Sequence, residues 1–270
     1  EEDGWPTPSG KQEIYSNSMV EFGYPEHSIP HYRVMSHVHP DNLQGEDEYC
    51  LLPNFRLPQH IHSRSANAKW LAEIAHRNPL WVHPNDAEKL GVSEGGLLKV
   101  ETEIGWFIDK VWVTEGIKPG IIGCSHHIGR WRRKQDSGNR YMTNEVEIED
   151  LGEGRMRMRT VTGVRPWESD DPDTNRVWWR DGGVHQNITH AVQPDPISGA
   201  HCWLQKVRIS RPSHGEKYGD VEVDTNRSFE YYKKWNEMAK EREVHPRGER
   251  RPLWMNRPLP PRKEHWFIRE

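Results

Sequence analysis

Cysteine is scarce. The chain of 270 residues has three, Cys50, Cys124 and Cys202, far apart and with no CxxC pair. That spacing argues against a zinc–thiolate or iron–sulfur centre built by this chain alone. It says nothing about a disulfide, so the compartment stays open. Long apolar runs are missing as well. No stretch approaches the ~20 apolar residues that a bilayer crossing needs, and only 33% of the chain is hydrophobic, too little for an all-apolar helix bundle. The formal charge of -4 gives no basic field for a general nucleic-acid binder. No GxGxxG follows a strand, and there is no HExxH and no GxSxG elbow, which removes the usual signatures of a dinucleotide fold, a zinc protease and a serine hydrolase. Tryptophan (13), proline (20) and glycine (22) are what the chain has in quantity, and they describe a loop-rich protein anchored by large aromatics.

The order of local signals gives the elements. Residues 1–47, punctuated by Pro6, Pro8, Pro25, Pro30 and Pro40, read as an irregular lead-in. "EYCLLP" (48–53) is a short buried strand. "SANAKWLAEIAHR" puts Trp70, Leu71, Ile74 and Ala75 at helical spacing, with Ser65 or Asn67 as its cap. "LWVH" is a strand, and "PNDAEKLG" is a short helix with Pro84 in its first turn and Gly91 at its C′ position. In "LLKVETEIGWFIDKVWVT", Leu98, Val100 and Thr102 alternate with Lys99 and Glu101, a hairpin turning at Glu103–Gly105. "IIGCSHHIGRW" is a strand that runs into a polar loop, residues 132–183 read as a charged insertion, and "HCWLQKVRIS" is a last strand. Residues 216–270 hold one helix, around "SFEYYKKWNEMAKERE", and a Pro- and Arg-rich extended arm. Short strands, tight turns and few helices imply a mainly β fold with flanking α, a closed barrel.

Three loops at strand ends are dense in donors. The first carries Arg56, Gln59, His60, His62, Ser63, Arg64 and Asn67. The second carries Ser125, His126, His127, Gly129, Arg130 and Trp131, and the third Asn187, Thr189, His190, Asp195 and Ser198. Neutral donors and arginines, with glycines that let backbone amides come close, suit phosphate oxygens and heterocycle edges. A solvated surface is the commoner explanation of any one such loop. A metal reading competes: His37/His39 and His60/His62 are i, i+2 pairs that share a face on a strand. His126 and His127 are adjacent and on a strand would point apart, and no carboxylate sits at ligand spacing beside the pairs. Cys124-Ser125 beside His126 is only a sequence neighbourhood and makes no nucleophile–base pair.

"TPSGKQEIYS", "RLPQHIHSRSAN", "WVHPNDAEKLGVSEGGLLKVETEIGWFIDKVWVTEGIKPGIIG", "SHHIGRW" and "NITHAVQPDPISG" occur in this order. Together they resemble the C-terminal part of the catalytic subunit of molybdopterin oxidoreductases, the dimethyl sulfoxide reductase family. The central block, P-x-D-A-x-x-x-G-[VI]-x-x-G followed by a hairpin and V-T-x-x-I-x-P-G, is its most specific part. The resemblance spans roughly residues 5–210. It implies a double-psi β-barrel over 48–215 that binds molybdopterin guanine dinucleotide, the bis-MGD cofactor of molybdenum or tungsten. It also implies that the chain is the last part of a larger catalytic polypeptide, with any [4Fe-4S] centre and the metal ligand in upstream or partner polypeptide. By motif position, Arg56, His60, His62, Ser63, Arg64 and Asn67 would meet phosphates and pterin. Ser125, His126, His127, Arg130 and Trp131 would lie near a pterin, and Asn187 and Asp195 near the pterin or guanine edge.

"SHHIGRW" paired with "NITHAVQPDPISGAHCW" looks most like the branch acting on sulfur and arsenic oxyanions. A formate dehydrogenase-like member, or a barrel that binds no cofactor and serves as an interaction module, remains an alternative. The partners implied are the rest of the catalytic subunit, an iron–sulfur electron-transfer subunit and room for a membrane-anchor subunit, with no nucleic acid. The arm at 244–270 carries Leu253, Trp254, Trp266 and Phe267 among arginines and prolines, so docking on another surface is expected of it, or packing back on its own subunit.

Overall fold

The computed structural model describes residues 5, 7, 10–21, 24–31, 43, 45–53, 57–60, 62, 68–133, 135, 143–162, 172, 181–192, 200–201 and 203–238. The chain divides into two compact units. One comprises residues 1–34, 193–202 and 232–270, the other residues 35–192 and 203–231. In the first, helix α1 (Asn17–Glu21) is followed by a 3-10 turn at Pro25–His27. Tyr24 N–H donates to Met19 O at 2.7 Å and Ser16 N–H to Ser28 O at 2.7 Å, which folds this segment back on itself.

The second unit contains a closed barrel of six strands. They are β1 (Glu48–Leu52), β2 (Leu80–Val82), β3 (Leu97–Glu101), β4 (Gly105–Val113), β5 (Ile121–Gly123) and, late in the chain, β9 (Gln205–Ser210). The strand order β2-β5-β1-β9-β3-β4 returns to its start because β2 also pairs with β4. Two contacts in the ring are parallel, Cys50 opposite Ile121 in β1–β5 and Leu80 opposite Val111 in β2–β4; the others are antiparallel. Closure removes the free edges that an open sheet would present. Helix α2 (Lys69–Ile74) and helix α3 (Pro84–Lys89) flank the strands. Pro84 begins α3, the His83 ring accepts from Asn85 N–H as its cap, and Gly91 takes a φ of +61° just past its end. Ala68, with no side-chain cap bond, precedes α2; Ser65 and Asn67, the caps expected from the sequence, lie outside the described residues.

The hairpin β3–β4 buries Leu98 and Val100 on one face and leaves Leu97, Lys99 and Glu101 more exposed. Those residues join Leu51, Leu80, Val82, Phe107, Val111, Ile122, Val207 and Ile209 in one apolar cluster. Fully burying each such side chain is worth about 1.5–3 kcal/mol. Outside the ring, β10 (Val221–Asp224) pairs with the first part of β4 and carries β8 (Arg155–Thr162), β7 (Asn144–Gly152) and β6 (Trp131–Arg133) on its far side. The segment 132–183, read from sequence only as an insertion, therefore contains a long hairpin. Glu222 of β10 accepts from Arg155 Nη2 at 2.6 Å and Arg157 Nη2 at 2.7 Å. Burial pushes the Glu222 carboxyl up, but the bonds from the two arginines outweigh it and hold the group below the usual range. Helix α4 (Thr225–Met238) follows. Among the described residues no helix is long and apolar enough to cross a membrane.

Candidate functional site

Three polar segments meet beyond the ends of β1 and β5: residues 57–62, 124–131 and 181–190. The connections between them are hydrogen bonds. His127 Nδ1 donates to the His60 carbonyl at 2.6 Å, and His126 Nδ1 to the Pro53 carbonyl at 2.8 Å. Gly129 N–H donates to Gly182 O at 2.8 Å, and Asn187 Nδ2 to His126 O at 3.3 Å. The approach is close enough to require glycine. Gly129 has a φ of +89°, and a Cβ there would sit 2.2 Å from Val184 O.

A residue that the sequence reading passed over holds the junction. Asn78, buried just before β2, donates through Nδ2 to Ser125 O at 2.7 Å and Val184 O at 2.9 Å, and accepts through Oδ1 from Val184 N–H at 2.8 Å. Its carbonyl accepts from Cys124 Sγ at 3.2 Å. One amide side chain thus fixes two of the three loops. A single Asn in "HRNPLW" has no periodicity, so only the general need of a buried amide for partners could have pointed to it.

The expected residues are distributed as follows. His60, His62, Ser125, His126, His127 and Asn187 lie in the joined segments, and Arg130 and Trp131 continue the second of them into β6. Arg56, Ser63, Arg64, Asn67 and Asp195 lie outside the described residues, as do the His37/His39 pair, Ser198 and the arm at 244–270. The histidines depart from the strand geometry expected of them. His126 and His127 lie in a bend, and their rings converge with centroids 4.3 Å apart. His60 and His62 do not share a face. The His60 ring is buried and donates through Nε2 to Ala75 O at 2.6 Å, whereas His62, at a φ of +46°, turns toward His126.

Behind the loops lies a second buried set. Asp109 has Cys124 Sγ 4.0 Å from Oδ2 and accepts from Lys110 N–H at 2.7 Å. Burial pushes its carboxyl well above the usual range, and burial, then the Asp109 charge, push the Cys124 thiol up. Asp181 accepts from Arg77 Nε and from Tyr218 OH at 2.9 Å. Burial lowers the pKa of His185, which lies edge-on to Trp131 with centroids 6.4 Å apart. Cys50 and Cys124 are buried free thiols.

Several buried polar atoms near the junction have no partner among the described residues: His60 Nδ1, Arg130 Nη1, Asn187 Oδ1 and both ends of the Gln186 amide. Buried groups of this kind are normally satisfied, so this set in neighbouring loops is an exception.

The closed β-barrel thus carries at one end three hydrogen-bonded loops with several unpartnered buried polar atoms. The pattern of the molydopterin dinucleotide binding domain matches residues 51–200, and the chain belongs to that family. It is similar to the arsenate respiratory reductase molybdopterin-containing subunit of Chrysiogenes arsenatis, 23% identical over 197 residues, which cover 63% of this chain and 22% of that protein. It is similar also to the thiosulfate reductase molybdopterin-containing subunit of Salmonella typhimurium, 29% identical over 116 residues, covering 43% of this chain and 14% of that one. Dimethyl sulfoxide reductase of Escherichia coli is 29% identical over 134 residues, 46% of this chain and 16% of that protein. The chain therefore spans under a quarter of these relatives, all of them named as reductases. Acetylene hydratase from Pelobacter acetylenicus has the same fold, with a TM-score of 0.50 over 77% of this chain and 24% of that one, at 19% identity. The membership in an enzyme family of molybdopterin oxidoreductases, expected from the sequence motifs, is thus borne out.

Proposed function

We propose that the chain is the dinucleotide-holding portion of a bis-molybdopterin guanine dinucleotide oxidoreductase of molybdenum or tungsten, and that its barrel is of the double-psi type. The observation that carries this reading is the coincidence of the family match at 51–200 with buried donors and acceptors that lack partners in the same loops. The residues present fit a group with phosphates and a purine-like edge. Arg130 Nη1 would donate to an anionic oxygen. Asn187 Oδ1 and the Gln186 amide would read a heterocycle edge, which needs donors and acceptors side by side. His60, His62, Ser125, His126, His127 and Trp131 would line the approach, and Arg56, Ser63, Arg64, Asn67 and Asp195 would complete it.

When bound, such a cofactor supplies two-electron redox or oxygen-atom transfer at its metal. The chain's own share is to bind, orient and exclude water. Gly129 lets the second loop lie against the third, Asn78 locks both, and the pre-formed junction presents its donors without reorganisation. Inorganic sulfur or arsenic oxyanions are the substrate class we favour, on the loop sequences and on relatives named for arsenate and thiosulfate. Any metal ligand and iron–sulfur cluster would lie in other polypeptide, with an iron–sulfur subunit as electron partner, and the arm at 244–270 would dock there.

The test is chemical analysis of the intact complex. Molybdenum or tungsten, with guanosine monophosphate released on acid hydrolysis at two per metal, is the expected result. A complex without either metal and without the nucleotide overturns the reading. Assays with arsenate, thiosulfate, tetrathionate and formate then sort the substrate class, and activity with formate alone would remove the oxyanion branch.

A further inference from the structure

We propose that the outer edge of β7, over residues 147–152, is a docking site for an extended basic strand of a partner polypeptide. The inference does not rest on the cofactor reading, and the donor loops take no part in it. β7 pairs with β8 from Glu145 to Gly152. On its other side it meets β6 only at Asn144, Glu145 and Val146. Beyond Val146 that side has no strand partner among the described residues. Successive residues of a strand direct their N–H and C=O groups to opposite sides. Every second residue from 147 to 152 therefore offers a donor and an acceptor to a further strand. The same edge borders a groove of about 650 Å³, lined by Gln135, Glu147, Ile148, Glu149 and Arg159.

The exposed side chains set the chemistry of the partner. Glu147, Ile148, Glu149 and Asp150 are all exposed, Ile148 at 42%. Glu147 and Glu149 share one face of the strand, and Ile148 lies on the other. The strand already in place on the inner side shows what pairs with this pattern. Arg159, Met158 and Arg157 of β8 lie opposite Glu147, Ile148 and Glu149. Those arginines are drawn away from β7. Arg157 Nη2 donates to Glu222 at 2.7 Å, and Arg159 Nη1 lies 3.5 Å from Asp220 Oδ2. Glu149 keeps no ion pair among the described residues. A second strand of basic–apolar–basic pattern would meet the same residues from the open side and neutralise charge that β8 leaves uncompensated. A second copy of this chain does not fit. Antiparallel pairing of two such edges centred on Ile148 would set Glu147 of each copy against Glu149 of the other. Centred on Glu149, it would set that residue against itself, and like charges directly opposite are unfavourable.

Binding is measured on the full chain with a fluorescent peptide of alternating arginine and valine, read by anisotropy. The expected result is saturable binding of one peptide per chain. The double change Glu147→Lys/Glu149→Lys weakens it at least tenfold, whereas Glu115→Lys, at an acidic residue exposed elsewhere, leaves it unchanged. The same peptide methylated on its backbone nitrogens keeps its charge and side chains but cannot donate to a strand edge. It binds the unaltered chain at least tenfold more weakly, which separates strand addition from mere attraction of opposite charges. That comparison needs no variant, so a folding defect in the double change does not decide the matter. No saturable binding at micromolar concentration, equal affinity for the methylated peptide, or indifference of a folded Glu147→Lys/Glu149→Lys chain overturns the proposal. So does a dimer at pH 7 that the unlabelled peptide disperses, since a second copy would then own the edge.

Discussion

The interior of the barrel and the loop junction at its end are both buried, but they are held by different forces. Inside, Leu51, Leu80, Leu98, Phe107 and Ile122 are in contact with no water at all. Their attraction has no direction, and each is one of many that contribute similar amounts. At the junction the buried residues are His60, Asn78, Ser125, His126, His127 and Gln186. There the contacts are directional, few, and not interchangeable. A lost methylene inside the barrel is shared by neighbours, whereas a lost amide at the junction leaves named atoms with nothing to bond to. The barrel supplies stability and the junction supplies placement.

The comparison can be broken from the apolar side first. Phe107→Ala removes the largest fully buried side chain and should cost about 3–5 kcal/mol, read as a lower urea midpoint with every probe moving together. Asn78→Ala strands Ser125 O, Val184 O and Val184 N–H, each worth roughly 1–3 kcal/mol when buried and unpaired, though partial relaxation should keep the sum near 3 kcal/mol. Its signature differs from that of Phe107→Ala. Amide exchange should rise in 181–190 and 124–131 before global unfolding, and cofactor content should fall further than stability does. Uniform exchange throughout the barrel would erase the distinction between the regions. Gly129→Ala imposes a side chain at φ +89° against Val184 O, about 1–3 kcal/mol of strain, and should detach the third loop while β1–β5 pairing persists.

The same division explains what could be read from the sequence. Helix α3 was legible because proline and glycine punctuate it within a few residues, and the β3–β4 hairpin because Leu98 and Val100 alternate with Lys99 and Glu101. Barrel closure came from the count of short strands and turns, but which strands meet could not. β2–β4 and β1–β5 are parallel contacts between segments far apart in sequence. The β7–β8 hairpin was hidden by its charge. Glu147 and Glu149 lie opposite Arg159 and Arg157, with Ile148 opposite Met158 between them, so charge interrupts its apolar pattern, although the Arg-Met alternation over 155–159 was a usable signal. The three donor loops were visible in composition. The convergence of His126 with His127 was not, because alternation of side chains holds on strands and these two sit in a bend.

The smallest effect expected separates the two regions by pH. Asp109 belongs to β4 by position and to the buried polar set by chemistry. Its neighbours are Cys124, the charges of Lys110 and Arg77, which favour ionisation, and Asp181, which opposes it. Burial outweighs the rest and raises the folded pKa well above that of an unfolded aspartate. As pH rises past about 4, the unfolded chain loses this proton first, since its carboxyl has the ordinary value. Between that pH and the folded pKa the folded state holds more protons, so stability falls with rising pH, and above the folded pKa the loss is complete. Asp109→Asn removes the ionisation while keeping a side-chain oxygen for Lys110 N–H. The variant should match the parent near pH 4 and exceed it increasingly toward pH 8, in urea unfolding followed across that range. A variant less stable than the parent at pH 8 would mean that the Asp109 charge is held by partners that outweigh its burial, and the polar set would then extend into the barrel wall.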